Sequence, residues 1–306
     1  MTGTILVFGA AGQVARELAR ATPPAGLRAV CHGRDDVDIT DPAGVDALVD
    51  RTAPVAIVNA AAYTAVDAAE DDGEAAVAVN ARGADHVARA AGRIKVPCLH
   101  VSTDYVFDGG GKRAYTPDDP VQPLGVYGRS KEAGERAVRA ACDDHLILRT
   151  AWVYSPFGHN FVRTMLRVGA ERDELTVVDD QIGTPTAAHA IARALLVAGA
   201  ALIRGSDPAL RGTYHFAGGG GGVSWCGFAR EIFRQARQRG FAHPPAVTAI
   251  PSHQWPTKAP RPANSRLDSG SFERAFGVAP TPWPDDLATV LDDLLGPAST
   301  SGGDDS

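Results

Sequence analysis

Leu6-Val7-Phe8-Gly9-Ala10-Ala11-Gly12-Gln13-Val14-Ala15 decides the fold. A short apolar run stops at a glycine, and a helical pattern starts a few residues later. Gly9 suits a tight turn. Gly12 lets the backbone come close to a pyrophosphate, and a helix opening at Gln13 and Val14 offers its N-terminus to that negative charge. Ala15 stands where many such turns carry a third glycine, a change that only slightly crowds helix against sheet. A glycine turn made for packing alone is the competing reading.

Working outward, Leu27–Cys31, Val55–Val58, Pro97–Val101 and Leu146–Leu148 are apolar runs without polar alternation, bounded by Gly, Pro, Asp or Asn. They read as buried strands. Helical patterns lie between them at Gln13–Ala21, Pro42–Arg51, Val66–Ile94 (interrupted) and Ser130–Cys142. This alternation predicts an α/β fold, a Rossmann-type doubly wound parallel sheet with helices on both faces. It occupies residues 1–150, with segments returning from 175 to 205. Residues 151–295 form mainly a smaller substrate-binding α/β region. Its helices are expected at Phe161–Ala170, Ala187–Ile203, Phe228–Gln238 and Asp285–Leu295, with a strand at Leu175–Val178. Gly218–Gly222 reads as a flexible loop, either a lid hinge or a plain connection. Pro244 to Pro262 holds six prolines and is expected to be extended and irregular. Residues 296–306 are small, polar and acidic, and are expected to be a disordered tail.

The 306 residues carry a net charge of −6, which argues against a protein that grips nucleic acid by bulk charge. The longest apolar stretch, Ala194–Ile203, is too short to span a bilayer. A strand-like run begins at Thr4 with no basic leader before it, so a cytoplasmic location is expected. Cys31, Cys98, Cys142 and Cys226 lie far apart and the nine histidines are scattered, so reduced thiols and no metal-ligating residues are expected.

After the second strand, Asp38 and Ile39 stand where an acidic side chain can address an adenosine ribose or the adenine ring; capping a helix that starts at Pro42 is the other use. Arg34 can meet a 2′-phosphate, which leans the reading toward NADPH with NADH also open; a plain surface charge is the alternative. Ala62, Tyr63 and Thr64 follow the third strand, in a run small enough for a flat cofactor to lie against the backbone. Tyr127 and Lys131 are four apart on one helix face. A nearby ammonium favours phenolate and makes a tyrosine a usable proton donor near neutrality. Thr103 and Asp104 end the preceding strand, in the crevice where such sheets bind ligands. Together these make a candidate carbonyl-reduction site. Arg261 and Arg266 could meet a diphosphate through their planar forks, or could be surface ion pairs.

With these residues in view, the chain resembles the extended short-chain dehydrogenase/reductases, and among them the dTDP-4-dehydrorhamnose reductase family. The matching stretches are Phe8–Gln13, Val58–Asp67, Ser102-Thr-Asp-Tyr-Val-Phe-Asp-Gly109, Pro123–Glu135, Arg149–Tyr154, Asn160-Phe161, Asp179–Thr186 and Arg261–Asp268. The resemblance implies NAD(P)H-dependent reduction of the C4 keto group of dTDP-4-dehydro-L-rhamnose. It implies Tyr127 as proton donor, with Lys131 its partner and holder of the nicotinamide ribose. Thr103 takes the substrate carbonyl, while Asp104 and Trp152 touch the sugar. Gly12, Gln13, Val14, Asp38, Ile39, Ala62, Tyr63 and Thr64 match cofactor positions. Ala15 and Cys31 depart from many relatives, and Cys31 leaves the cofactor preference open. Some relatives carry Mg2+ at a dimer contact, so a homodimer with Mg2+ is open too, without assigned ligands. Two other functions also stay open. One is reduction of another dTDP-4-keto-6-deoxy sugar, as in a dihydrostreptose synthase. The other is a non-catalytic subunit like the regulatory subunit of methionine adenosyltransferase.

Overall fold

In a computed structural model, residues 3–298 are described. The expected tail falls mostly on residues 299–306, outside the described residues. Five strands alternate with helices in the first half: β1 (Gly3–Phe8), β2 (Leu27–His32), β3 (Ala56–Asn59), β4 (Cys98–Thr103) and β5 (His145–Thr150). A sixth strand, Gly212–His215, completes a sheet in the order Gly212–His215, β5, β4, β3, β1, β2. Every pairing in it is parallel. The chain runs from β1 to β2 on one side and then returns to β3 on the other. That reversal opens a crevice at the carboxyl ends of β1 and β3.

Apolar residues on both faces of the strands force helices onto both sides. Val7, Val58, Leu99 and Leu148 pack with α1 (Gln13–Arg20) and the helix Ala188–Arg204. Leu6, Ile57, Cys98 and Ile147 pack with α2 (Pro42–Thr52), α4 (Ala84–Ile94) and α5 (Val126–Ala141). A third core around Tyr154, Phe228 and Trp283 belongs to the second region.

The interruption expected in the helical pattern at 66–94 is present, as a 3₁₀ turn at Ala68–Glu70, α3 (Gly73–Val77), a π-helical stretch at Ala78–Gly83, and α4. Other expectations are corrected. Of the segment expected to return at 175–205, only the helix Ala188–Arg204 packs on the sheet. Glu174–Val178 pairs instead with Ala246–Ile250, a strand inside the proline-rich segment. The start of the glycine run is pinned, while Gly220–Gly222 stay exposed: Gly219 N–H donates to Thr281 O (2.7 Å) and Gly219 O accepts from Trp283 N (2.9 Å). A Cβ on Gly218 would sit 2.3 Å from Pro185 O, so glycine serves close approach there rather than a hinge.

α5 is fastened to the sheet by buried charge. The Glu135 carboxylate, fully inaccessible, accepts from Ser102 Oγ (2.6 Å), Arg149 Nε (2.8 Å), Arg149 Nη2 (2.7 Å) and Arg139 Nη2 (2.8 Å). Burial pushes this acid up, and Arg149, Ser102 and Arg139 together more than offset it, so Glu135 stays ionised. Replacing Arg149 with Met strands a buried carboxylate. The expected loss is about 3–5 kcal/mol of unfolding free energy in a urea titration.

Candidate active site

The glycine turn shapes the crevice floor. Gly9 has φ +99°, and a Cβ there would lie 2.7 Å from the backbone N of Ala61. No residue but glycine fits between the end of β1 and the loop after β3. Gly12 caps α1 without a side-chain hydrogen bond, so the helix N-terminus keeps N–H groups free for an anion. These features fit the pyrophosphate of a dinucleotide. Val14 and Ala15 are buried in the core. Gln13 turns the other way: its Oε1 accepts from Asn160 Nδ2 (2.9 Å) and Ser155 Oγ (3.2 Å), tying the turn to the second region.

Asp38 does not cap α2; Asp41 does, accepting from Ala43 N at 3.1 Å. Asp38 Oδ1 accepts from Thr40 N (2.9 Å) and Thr40 Oγ1 (2.8 Å), and these bonds hold its carboxyl below the usual range. Arg34 is 83% exposed and reaches Asp38 Oδ2 at 3.2 Å. The Ile39 side chain packs in the core, and its carbonyl accepts from His86 Nδ1 at 3.0 Å. The Ala62–Thr64 loop is clamped at Tyr63, where buried Asn80 accepts from Tyr63 N (2.8 Å) and donates to Tyr63 O (3.0 Å). Asn80 also donates to Ser130 Oγ (2.9 Å), beside Lys131.

α5 starts at Val126, so Tyr127 and Lys131 occupy its first turns, one above the other and both buried. Burial pushes the Tyr127 phenol well up, and its contact with the Thr103 hydroxyl pulls the other way. Lys131 is not among the groups that lower it, contrary to the sequence expectation. The Lys131 amine faces the sheet instead, donating to Val101 O at 2.8 Å with His100 Nε2 at 3.3 Å. Burial brings Lys131 down to about 8. Thr103 Oγ1 donates to Asp104 Oδ1 (3.0 Å), while Asp104 Oδ2 is buried without a partner.

Trp152, with φ +48°, stacks flat on Trp225 with ring centroids 3.4 Å apart. Arg261 Nη2 pairs with Asp67 (2.6 Å), while its Nη1 is buried without a partner. Arg266 bonds Asn264 Oδ1 (2.9 Å) and Lys112 O (2.5 Å). Asn80, His100, Glu135, Arg149 and Trp225 were not singled out by the sequence. Only Glu135 left a signal, one further turn along the Tyr127–Lys131 face. Among the described residues no group of three or more His, Cys, Asp or Glu side chains could hold a metal ion.

This sheet, with its switch point and glycine turn, defines a dinucleotide-binding fold, and the relatives that follow make the chain an NAD(P)H-dependent oxidoreductase of the short-chain dehydrogenase/reductase type. The chain belongs to the RmlD substrate binding domain family, whose sequence model matches residues 3–295. An Escherichia coli (strain K12) protein named dTDP-4-dehydrorhamnose reductase is 40% identical over 297 residues, covering 95% of this chain and 98% of that protein. A dTDP-4-dehydrorhamnose reductase structure from Clostridium acetobutylicum superimposes with TM-score 0.88 at 35% identity, covering 95% of this chain and 99% of that one. One from Bacillus anthracis, in complex with NADP, has TM-score 0.86 at 34% identity, covering 96% and 100%.

Burial raises the Asp104 carboxyl to about 6, against the hydrogen bond from Thr103. An acid raised in the folded state contributes stability below its unfolded pKa of about 3.9 and loses it as pH climbs through 6. The stability of the native chain relative to Asp104→Asn is therefore expected to fall by about 2 kcal/mol between pH 4 and pH 7. Urea unfolding of both across that range checks it.

Proposed function

We propose that this chain reduces the C4 keto group of dTDP-4-dehydro-L-rhamnose, giving dTDP-L-rhamnose, with NADPH as its preferred cofactor. One observation carries the reading. Thr103, Tyr127 and Lys131 share the carboxyl edge of a dinucleotide-type sheet in a chain that belongs to the RmlD family. The reduced nicotinamide, when bound, supplies hydride to the carbonyl carbon.

The chain supplies the rest. The glycine turn and the α1 N-terminus would hold the pyrophosphate, and Ala62, Tyr63 and Thr64 would border the dinucleotide. Asp38 takes the adenosine ribose, and exposed Arg34 can exchange Asp38 for a 2′-phosphate, which favours NADPH over NADH. The NADP found in the Bacillus anthracis structure supports the same preference. Thr103 donates to the keto oxygen and orients it. Tyr127 is protonated because burial raises its pKa, so it delivers a proton to the oxygen as negative charge develops. Lys131, brought down to about 8, would restore that proton by way of water in the crevice and would hold the nicotinamide ribose. Asp104 offers its unpartnered Oδ2 to a sugar hydroxyl, and Trp152 covers the ring. Arg261, with Nη1 free, and Arg266 take the diphosphate. Binding the nucleotide end in this way orients the reacting carbon. One chain provides all of these groups, so the scheme calls on neither Mg2+ nor a second copy. Residues 1–150 hold the cofactor, and residues 151–295 mainly the sugar nucleotide.

The test follows NAD(P)H absorbance with purified chain and dTDP-4-dehydro-L-rhamnose, using each cofactor in turn. Turnover is expected with both and higher kcat/KM with NADPH. Tyr127→Phe is expected to lose about 10²- to 10⁴-fold in kcat while binding the cofactor normally. No turnover with this sugar, alongside turnover of a different dTDP-keto-sugar, overturns the substrate assignment.

A further inference from the structure

A buried chain of three side chains lies behind the catalytic lysine. Asn59 and His100 are each 1% exposed and Lys131 2%. Asn59 Nδ2 is 3.2 Å from His100 Nδ1, and His100 Nε2 is 3.3 Å from Lys131 Nζ. Asn59 Oδ1 is occupied, because it accepts the Ala61 N–H at 3.2 Å.

Donors and acceptors then have one consistent assignment. With Oδ1 facing Ala61 N, the amide that meets His100 is an NH2 donor, so Nδ1 must be the bare, accepting nitrogen. Burial keeps the ring neutral, far below its ordinary pKa, so its single hydrogen sits on Nε2. The opposite tautomer would require the amide to turn over and point an NH2 at the Ala61 N–H, stranding a backbone donor.

We propose that Asn59 holds His100 as the Nε2–H tautomer, and that this N–H stabilises the amine that Lys131 becomes when it gives up a proton. His100 is thus a positioning residue that favours the deprotonated lysine. An ammonium at Nζ would set one N–H against another across 3.3 Å. An amine offers a lone pair to Nε2–H and still donates to Val101 O at 2.8 Å. The other charged groups around Lys131 are accounted for. Glu135, one turn on, favours the ammonium, but it is already bound by Ser102 of β4, Arg149 of β5 and Arg139 of α5. Tyr127 lies one turn back on the same helix, and Asp104 follows β4. Burial works in the same direction as His100.

The consequence for turnover rests on the reaction proposed above. When Tyr127 gives its proton to the sugar oxygen, Lys131 must restore it. An N–H bond of the ammonium breaks and an O–H bond forms on Tyr127, the proton crossing by way of water in the crevice because Nζ faces β4, and the amine then takes a proton back from bulk solvent. A partner that stabilises the amine lowers the cost of that transfer.

The tautomer is read without substrate. In protein labelled with ¹⁵N-histidine, the ring signals missing from His100→Gln identify His100. Should that variant fail to fold, the signals displaced in Lys131→Met identify it. A protonated Nε2 and a bare Nδ1 are expected; a protonated Nδ1 overturns the proposal whatever the chain reduces. In His100→Gln the amide oxygen can accept from the ammonium. The basic limb of the kcat–pH profile is then expected to move up by about one unit. A lower kcat at every pH with that limb unmoved would leave His100 a packing residue.

Discussion

The position of α5 rests on one buried carboxylate. Glu135 lies two helical turns beyond Tyr127 and one beyond Lys131, on the same face. Its oxygens are held by Ser102 at the end of β4 and by Arg149 near the end of β5. A helix packed only by apolar contacts could slide along the sheet at small cost. A buried ion pair answered on all sides permits one register, because any shift strands a charge in a low-dielectric interior. The phenol and amine are thereby set against the carboxyl edge of β4, where Thr103 and Asp104 emerge.

A second constraint closes the crevice from above. Gln13, the first residue of α1, is gripped by Asn160 and Ser155 from the second region. On the other side Asp67 takes Arg261 and the backbone of Ala259, and Asp71 takes Lys258. The proline-rich segment is thus tied to the loop that leaves β3. The ligand-facing walls come from parts of the chain that neither region supplies alone. The stack of Trp152 on Trp225 works in the same way, joining the residue just past β5 to the start of a helix in the second region.

Polar groups inside the site divide by function. Glu135 and Asn80 have their hydrogen bonds satisfied and act as braces. Asp104 Oδ2 and Arg261 Nη1 are buried without partners. Unanswered polar atoms are costly in a folded interior, and others are buried away from the crevice at Gln235, Ser271 and Asp286.

The sequence by itself determined whatever depends on neighbours in the chain. The turn at Gly9 and Gly12, the βαβ alternation and the Tyr127–Lys131 spacing are local patterns, set by steric limits and helical period. The tertiary structure decided the rest. Gly212–His215 joins the sheet although four residues carry too little periodicity to announce a strand. Arg261 meets Asp67 from 194 positions away, and Asn80 meets Ser130 from 50. Lys131 points to His100 rather than to Tyr127 because β4 lies beneath it. Such pairings leave no mark on either stretch of chain alone. They arise where burial demands a partner for each polar group, and only the packed fold determines which partner is within reach.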